Sequence, residues 1–222
     1  MDIALFDLDH TLIPFDSGSA FTRYLAAQGA LPADFEARYL AYCRSYAAGR
    51  IDIVAMHRFT VGALAVHDPV TLARWLGEFE QCAARSIPPA AIRLVEQHRA
   101  AGHACALVTA TTRFIAEAFG NAVGLEDVLA TEPELGDDGR YTGEVVGPPC
   151  FREHKITHVR AWLARRGLDW SGVTRSWFYS DSIHDLPLLE AVTDPVAVDP
   201  DPRLRECARQ RGWPIRSLVA AR

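Results

Sequence analysis

The chain has 222 residues, 49% of them hydrophobic and 23% charged, with a formal net charge of −5. That is an ordinary globular composition, long enough for one large domain or for a core with an insertion. The negative balance argues against a nucleic-acid partner, because phosphate backbones are met by basic surfaces.

No apolar stretch is long enough to span a bilayer, and the N-terminal run lacks the basic flank of a signal peptide, so a cytoplasmic protein with no membrane partner is expected. Cys43, Cys82, Cys105, Cys150 and Cys207 are scattered without close pairs. They suit free thiols in a reducing compartment better than a disulfide framework or a zinc site.

The first structural signal is Ile3-Ala4-Leu5-Phe6, an uninterrupted apolar run that reads as a strand buried on both faces. It stops at Asp7 and Asp9, whose i, i+2 spacing puts both carboxylates on one side of an extended chain. Two carboxylates held together repel, and the site relaxes only if one takes a proton or a cation sits between them. Taken alone, the pair is equally at home as two ordinary loop acids.

From about Asp16 to Arg85 no strand-like run occurs. Aromatic and apolar residues recur three and four apart in four sets: Phe21, Tyr24, Leu25; Phe35, Tyr39, Tyr42; Val54, His57, Val61, Leu64; Leu72, Trp75, Leu76, Phe79. Pro32, Gly49 and Asp68-Pro69 separate the sets, so residues 15–86 are expected to form a four-helix insertion whose aromatics make its own core.

After Ile87-Pro88-Pro89 the pattern alternates. A helix at about 90–101 leads through Gly102 to a buried strand at 104–108, and a helix at about 112–120 follows. A short strand at 127–130 comes next, and Gly136-Asp137-Asp138-Gly139-Arg140 marks a hairpin turn. A helix at 153–166, a strand at 176–180, a helix at 183–191, a strand at 196–198 and a helix at 201–211 complete the pattern. Such alternation predicts an α/β fold, a doubly wound parallel sheet with right-handed crossovers, built from residues 1–14 and 87–222.

In a sheet of this kind the ligand crevice lies outside the carboxyl ends of the strands. Asp7 and Asp9 end the first strand. Thr109 ends the second, followed by Ala110-Thr111-Thr112 at a helix start, where free amides and a hydroxyl can hold anionic oxygens. Asp181 and Ser182 follow the strand at 176–180, with Asp185 four residues on. Lys155 falls in the first turn of its helix, where its charge works against the macrodipole by roughly 0.3–1 kcal/mol unless an anion is near. A solvated head for Lys155, and helix capping for Asp181 or Asp185, remain open.

Asp7-x-Asp9-x-Thr11, Thr109, Lys155 and Asp181-Ser182-x-x-Asp185, in that order, resemble the four motifs of the haloacid dehalogenase superfamily. The helical insertion between the first two resembles the cap of its phosphoserine phosphatase-like branch, so the likeness covers the whole chain. It implies a phosphomonoester hydrolase with a helical-bundle cap on a Rossmann-like core. Asp7 would be the nucleophile, forming an aspartyl-phosphate. The carboxylates of Asp7 and Asp181 and the backbone carbonyl of Asp9 would hold Mg²⁺. Asp9 would protonate the leaving oxygen and then deprotonate the attacking water. Thr109, Ala110 and Lys155 would bind the phosphate oxygens, and Asp185 would orient the metal shell from behind.

Two departures from that pattern, Ala110 after Thr109 and Ser182 after Asp181, bear on substrate more than on reaction. Asp16 stands where phosphoserine phosphatases place an acid against the substrate's amine, or else it caps the first helix of the insertion. The runs Tyr179-Ser180-Asp181-Ser182 and Asp199-Pro200-Asp201-Pro202 resemble bacterial members associated with histidinol phosphate, which becomes the favoured small-molecule substrate, with phosphoserine next. His10 reads as a local packing or hydrogen-bonding group, and His154 and His158 as solvated. A phosphorylated signalling switch and a phosphate-binding module without turnover are the competing classes. The first needs no large insertion, and the second leaves Asp9 without a task.

Overall fold

A computed structural model describes residues 1–218. Along the chain come β1 (Asp2–Phe6), then α1 (Ser17–Ala27), α2 (Phe35–Ala47), α3 (Ile53–Leu64) and α4 (Pro69–Ser86). Next are α5 (Pro89–Ala100), β2 (Ala104–Thr112), α6 (Arg113–Val123), β3 (Asp127–Leu135), β4 (Tyr141–Val146) and α7 (His154–Ala164). The chain finishes with β5 (Arg175–Ser180), α8 (Leu186–Ala191), β6 (Asp194–Val198), α9 (Pro202–Arg211) and β7 (Ile215–Arg216). No helix among the described residues is long and apolar enough to cross a membrane.

Among the described residues the strands form one seven-stranded sheet in the order β4-β3-β2-β1-β5-β6-β7. Every neighbouring pair is parallel except the β3–β4 hairpin. β1 is central, which is why Ile3 to Phe6 are wholly buried. Its side chains alternate between two cores. Ile3 and Leu5 join Trp162, Phe178, Leu188 and Leu204 on one face, while Ala4 and Phe6 join Val95 and Phe119 on the other. From β1 the chain builds outward through β2 and β3, then returns to β5 on the opposite flank of β1. The order therefore reverses between β1 and β5, and a crevice opens at that point beyond their carboxyl ends.

Helices α1 to α4 lie between β1 and α5, and their aromatics do not make a separate core. Phe21 and Phe79 pack on each other, with centroids 5.0 Å apart, and also on α6: Phe21 lies 5.5 Å from Phe114 and Phe79 5.8 Å from Phe119. One apolar cluster thus runs from the sheet face through α6 into the insertion. On the far side α3 leans on the β3–β4 hairpin. Gly143 sits at φ +94°, and a Cβ there would come within 3.4 Å of the Gly62 Cα; Arg58 pairs with Glu144 nearby at 2.6 Å.

Two strand limits differ from the sequence expectation. β2 does not stop at Val108 but continues to Thr112, because Thr109, Thr111 and Thr112 are β-branched and favour the extended chain. Val108 pairs with Leu129 and Thr112 with Thr131, so β2 takes four steps to two on β3 and bulges between Val108 and Thr112. β3 likewise runs past Ala130 to Leu135 before the hairpin turn, closed by Gly136 N–H on Arg140 O at 2.8 Å. The helix placed at 183–191 begins as a 3-10 turn, Ile183–Asp185. β7, of two residues, is too short to leave a sequence signal.

Phe119 is 1% exposed and bridges the sheet core to the insertion. Phe119→Ala is expected to cost about 3–5 kcal/mol of unfolding free energy in urea. A loss within about 0.5 kcal/mol, the range of surface changes, would mean that the insertion and the sheet do not share this core.

Candidate active site

Beyond Phe6 the ladder extends one more step, with Asp7 N–H donating to Tyr179 O at 2.9 Å. The chain then coils on itself. Leu12 N–H and Thr11 N–H both return to Leu8 O, at 2.9 and 3.2 Å, and His10 adopts φ +57°. Leu8, Leu12 and Ile13 are buried beneath this loop and fix it to the core. Thr11 is thereby brought back over Asp7. Its Oγ1 lies 3.1 Å from Asp7 Oδ2 and 3.3 Å from Asp181 Oδ1, and accepts from Asp181 N–H at 3.0 Å. One hydroxyl has one proton, so it serves one of the two carboxylates at a time. The shared contact shows how closely Asp7 and Asp181 approach.

Lys155 is not solvated. It is 2% exposed, and its Nζ donates to Asp7 Oδ1 at 2.8 Å and to Asp185 Oδ2 at 2.7 Å. Ser180 Oγ donates to the same Asp185 oxygen at 2.7 Å. Asp185, expected to steady the metal shell, thus has Lys155 and Ser180 as its side-chain partners, and acts on the site through the lysine. Burial works against the Lys155 charge, but Asp185 and Asp7 more than offset it and hold the ammonium above its ordinary range.

Asp9, partly exposed, is held by both oxygens: Ser17 N–H donates to Oδ1 at 2.6 Å and Thr111 Oγ1 to Oδ2 at 2.7 Å. Thr109 Oγ1 accepts from Thr111 N–H at 3.1 Å, so its own proton remains free to donate. Asp16 does cap α1, accepting from Ser19 N–H at 2.6 Å, and it also accepts from the Tyr39 hydroxyl at 3.2 Å. Ser182 caps the Ile183–Asp185 turn by accepting from His184 N–H at 3.2 Å. Asp201 ties the same loop down, accepting from Ile183 N–H at 2.7 Å while it caps α9.

These groups meet around one cavity of about 680 Å³ between the sheet end and the insertion. Asp7, Asp9, Asp16, Thr109, Ala110 and Asp181 all line it, whereas Lys155 and Asp185 lie behind Asp7. His10 stands exposed at its edge. His154 and His158 are not part of it: His154 is exposed, and His158 bonds Pro148 O at 3.0 Å.

From sequence alone, Thr11, Ser17, Thr111 and Ser180 had no assigned side-chain partners. Only Thr11 carried a signal, its fixed place in the first motif. His57, read as an apolar-face residue, does pack in the core through Thr112 Oγ1 at 3.0 Å, but it also lines the cavity, with Nε2 unpartnered. Burial lowers its pKa to about 4, so the ring is neutral.

Four carboxylates face one ammonium here, and the proton affinities of Asp7, Asp9 and Asp181 register the imbalance. Asp7 is pushed up to about 6, first by desolvation, with Lys155 pulling the other way. Asp9 rises to about 7 through desolvation and then the charge of Asp16. Asp181 rises to about 9 through desolvation, then Asp7 and Asp185. A hard divalent cation fits this donor set. No three His, Cys, Asp or Glu side chains among the described residues form a metal cage, and magnesium takes one or two carboxylates while keeping several waters.

A carboxyl whose pKa is about 9 when folded against an ordinary 3.8 gives stability that is present below pH 3.8 and lost as pH rises through 9. With metal removed by chelator at neutral pH, Asp181→Asn is expected to raise the melting temperature, by about 2–4 °C per kcal/mol recovered in a chain of this size. It should also abolish the stabilisation that added magnesium gives the unsubstituted protein. A lower melting temperature in chelator would show that the Asp181 charge is already compensated.

Residues 4–190 match the family model of the haloacid dehalogenase-like hydrolases. A histidinol-phosphatase of Neisseria meningitidis serogroup C (strain 8013) is 38% identical over 216 residues, covering 96% of this chain and 97% of its own. The phosphoserine phosphatase SerB1 of Mycobacterium tuberculosis (strain ATCC 25618 / H37Rv) is 34% identical, with 99% of this chain and 71% of that protein covered. Among solved structures, a protein of unknown function from Bordetella pertussis Tohama I superposes with a TM-score of 0.90 at 44% identity, over 98% of this chain and 99% of that one. A substrate-bound phosphoserine phosphatase shares the fold at a TM-score of 0.68 and 16% identity, over 98% and 92%. By the span of the family match and the identity of these relatives, the chain belongs to the haloacid dehalogenase-like hydrolases.

Proposed function

We propose that this phosphatase hydrolyses a small, amine-bearing phosphomonoester, with histidinol phosphate the favoured substrate, through an aspartyl-phosphate on Asp7. The observation that carries this is the setting of Asp7: a buried carboxylate at the end of the central strand, gripped by Lys155 and Thr11, opening on a cavity that Asp9 and Thr109 share. The four helices of residues 15–86 act as the cap that closes over it.

In this mechanism an Asp7 oxygen attacks phosphorus as the bond to the leaving oxygen breaks, and Asp9 gives that oxygen its proton. Asp9 then takes a proton from water, whose oxygen attacks the acyl phosphate, releasing phosphate and restoring Asp7. A pKa near 7 suits a group that works as acid and then as base. Thr109 donates its free hydroxyl proton to a non-bridging oxygen, the neighbouring backbone at Ala110 completes that contact, and Lys155 offsets charge from behind Asp7. Magnesium, held by the Asp7 and Asp181 carboxylates and the Asp9 backbone carbonyl, would supply the positive charge that lets two anions approach.

The charge of the cavity supports an amine over a carboxylate. Asp16 and Asp201 line it together with the three acids of the site, and Arg203 is its one strongly basic group among the described residues. Tyr39, Tyr46, Met56 and Ile53 add an apolar wall with room for a body larger than a serine. The sequence likeness to a histidinol-phosphatase supports the same choice.

Asp7→Asn should lower kcat by roughly 10³-fold or more with an unchanged circular dichroism spectrum; appreciable turnover would remove Asp7 as nucleophile. Asn caps helices as well as Asp, so Asp16→Asn keeps the start of α1 and removes only the charge. It should lower kcat/KM for histidinol phosphate by roughly tenfold more, about 1.4 kcal/mol, than for neutral phosphomonoesters, whose smaller change comes from the lower proton affinity of Asp9 once the Asp16 charge is gone. Equal losses on both would leave Asp16 as a cap alone, and a preference for phosphoserine would overturn the substrate assignment.

A further inference from the structure

Asp9 differs from the other acids lining the cavity in being held by one donor from the helical insertion and one from the sheet. Its Oδ1 takes the amide of Ser17, the first residue of α1, and its Oδ2 takes the hydroxyl of Thr111 on β2. The ring closes between those two residues, because Ser17 Oγ lies 3.0 Å from Thr111 Oγ1. Thr111 spends its only proton on Asp9, so Ser17 is the donor in that last contact. Ser17 is fully buried, and Thr111 faces the cavity.

The two clamps are chemically unlike. Each clamp fills one lone-pair direction of its oxygen, and because Ser17 is fully buried while Thr111 faces the cavity, the exchangeable proton is assigned to the cavity-side oxygen, Oδ2. A carboxylate oxygen has two lone-pair directions, and the Thr111 hydroxyl fills one of them. What remains on Oδ2 is a single direction for the proton that is passed. The helix start reinforces this, since the unpaired amide of Ser17 is one of the donors that a helix leaves free at its N-terminus.

We infer that Thr111 is a positioning residue for proton transfer: with Ser17 it fixes the Asp9 carboxylate so that the free direction of Oδ2 serves the leaving oxygen. This rests on Asp9 being the acid of the reaction. Thr111 itself touches no reacting atom and acts only through that carboxylate. The same three-residue ring joins the insertion to the sheet, so a purely structural role for Thr111 is the alternative to be separated.

The test uses kcat/KM for a series of substituted phenyl phosphates, from p-nitrophenyl to p-methoxyphenyl, which keeps substrate shape nearly constant. That parameter covers the steps up to phosphorylation of Asp7 and omits the later attack of water. A nitrophenolate leaves without a proton; a methoxyphenolate leaves much better with one. Thr111→Val removes the hydroxyl and keeps a β-branched side chain suited to β2. It should lose under about twofold on p-nitrophenyl phosphate and roughly tenfold on the p-methoxy compound, a part of the 10²–10⁴ that a positioned acid contributes. The dependence on leaving group thus steepens. Thr111→Ser should restore the original slope, and Thr111→Ala should reproduce the steep one should the valine variant fold poorly.

Asp9→Asn is measured beside these variants. Should its slope be steep while both Thr111→Val and Thr111→Ala show the original slope with a uniform loss, Thr111 is structural and the inference falls while the acid stands. Should Asp9→Asn itself keep the original slope, Asp9 is not the acid, and the inference falls with that assignment.

Discussion

An ammonium with no access to water is tolerable only in company, and Lys155 has it from Asp7 and Asp185. Removing an ion from water costs several kcal/mol even after the surroundings relax, and only close, well-directed partners offset it. Against that the helix macrodipole, less than about 1 kcal/mol in the first turn, is a minor opponent. The constraint runs outward from the lysine. Asp185 must point inward, and Ser180 at the end of β5 holds it there. Asp7 must turn one oxygen to Lys155, which leaves the other for Thr11 and the cavity. Because two carboxylates bracket one ammonium, the centre is negative before Asp181 is counted. The approach of Asp181 through the Thr11 hydroxyl therefore makes a place that a cation would relieve.

Asp7 and Asp9 are two residues apart and chemically identical, yet their surroundings divide them. Asp7 is met by a full positive charge, which favours its anion and opposes the burial that raises its proton affinity. Asp9 is met only by an amide and a hydroxyl, with the negative Asp16 close enough to count against it. Neutral donors stabilise an anion less than a charge does. The group without the cation is the one that keeps a proton more readily, and paired carboxylates whose environments push them apart are how one site holds an acid beside a nucleophile.

What was legible in the sequence was local. Ile3 to Phe6 announced a doubly buried strand because no polar residue interrupts them, and the end of that run located Asp7 and Asp9. Lys155 was legible only as a problem, a positive charge at the wrong end of a helix, and its solution lies 148 residues away at Asp7. Thr11 and Asp181 are 170 residues apart, and Thr111 and Asp9 are 102 apart. Threonine is too common for either partnership to show without the fold. The extended Thr109-Ala110-Thr111-Thr112 segment misled for a physical reason as well: hydroxyl residues start helices as often as they end strands, and here β-branching prevailed. The aromatics of the insertion were legible as core, but periodicity says which residues face inward and not what they face, so the shared cluster with Phe114 and Phe119 was out of reach.

That shared cluster bears on the chemistry. Phe21 follows Ser17 by one turn on α1, and it is anchored between Phe79 and Phe114. Apolar contacts of this kind hold against salt and proton concentration, whereas the polar contacts at the opposite edge, Arg152 to Gly49 O and His184 to Tyr46 O, are single hydrogen bonds of 3.3 and 3.2 Å. The start of α1 is therefore fixed by the apolar seam between insertion and sheet. The amide of Ser17 belongs to that fixed end, so the acid whose Oδ1 it binds is referenced to the core of the protein and not to a loop. An oxygen that must be presented to substrate within a fraction of an ångström gains most from such an anchor, and the sequence places the aromatic that supplies it four residues after the serine that uses it.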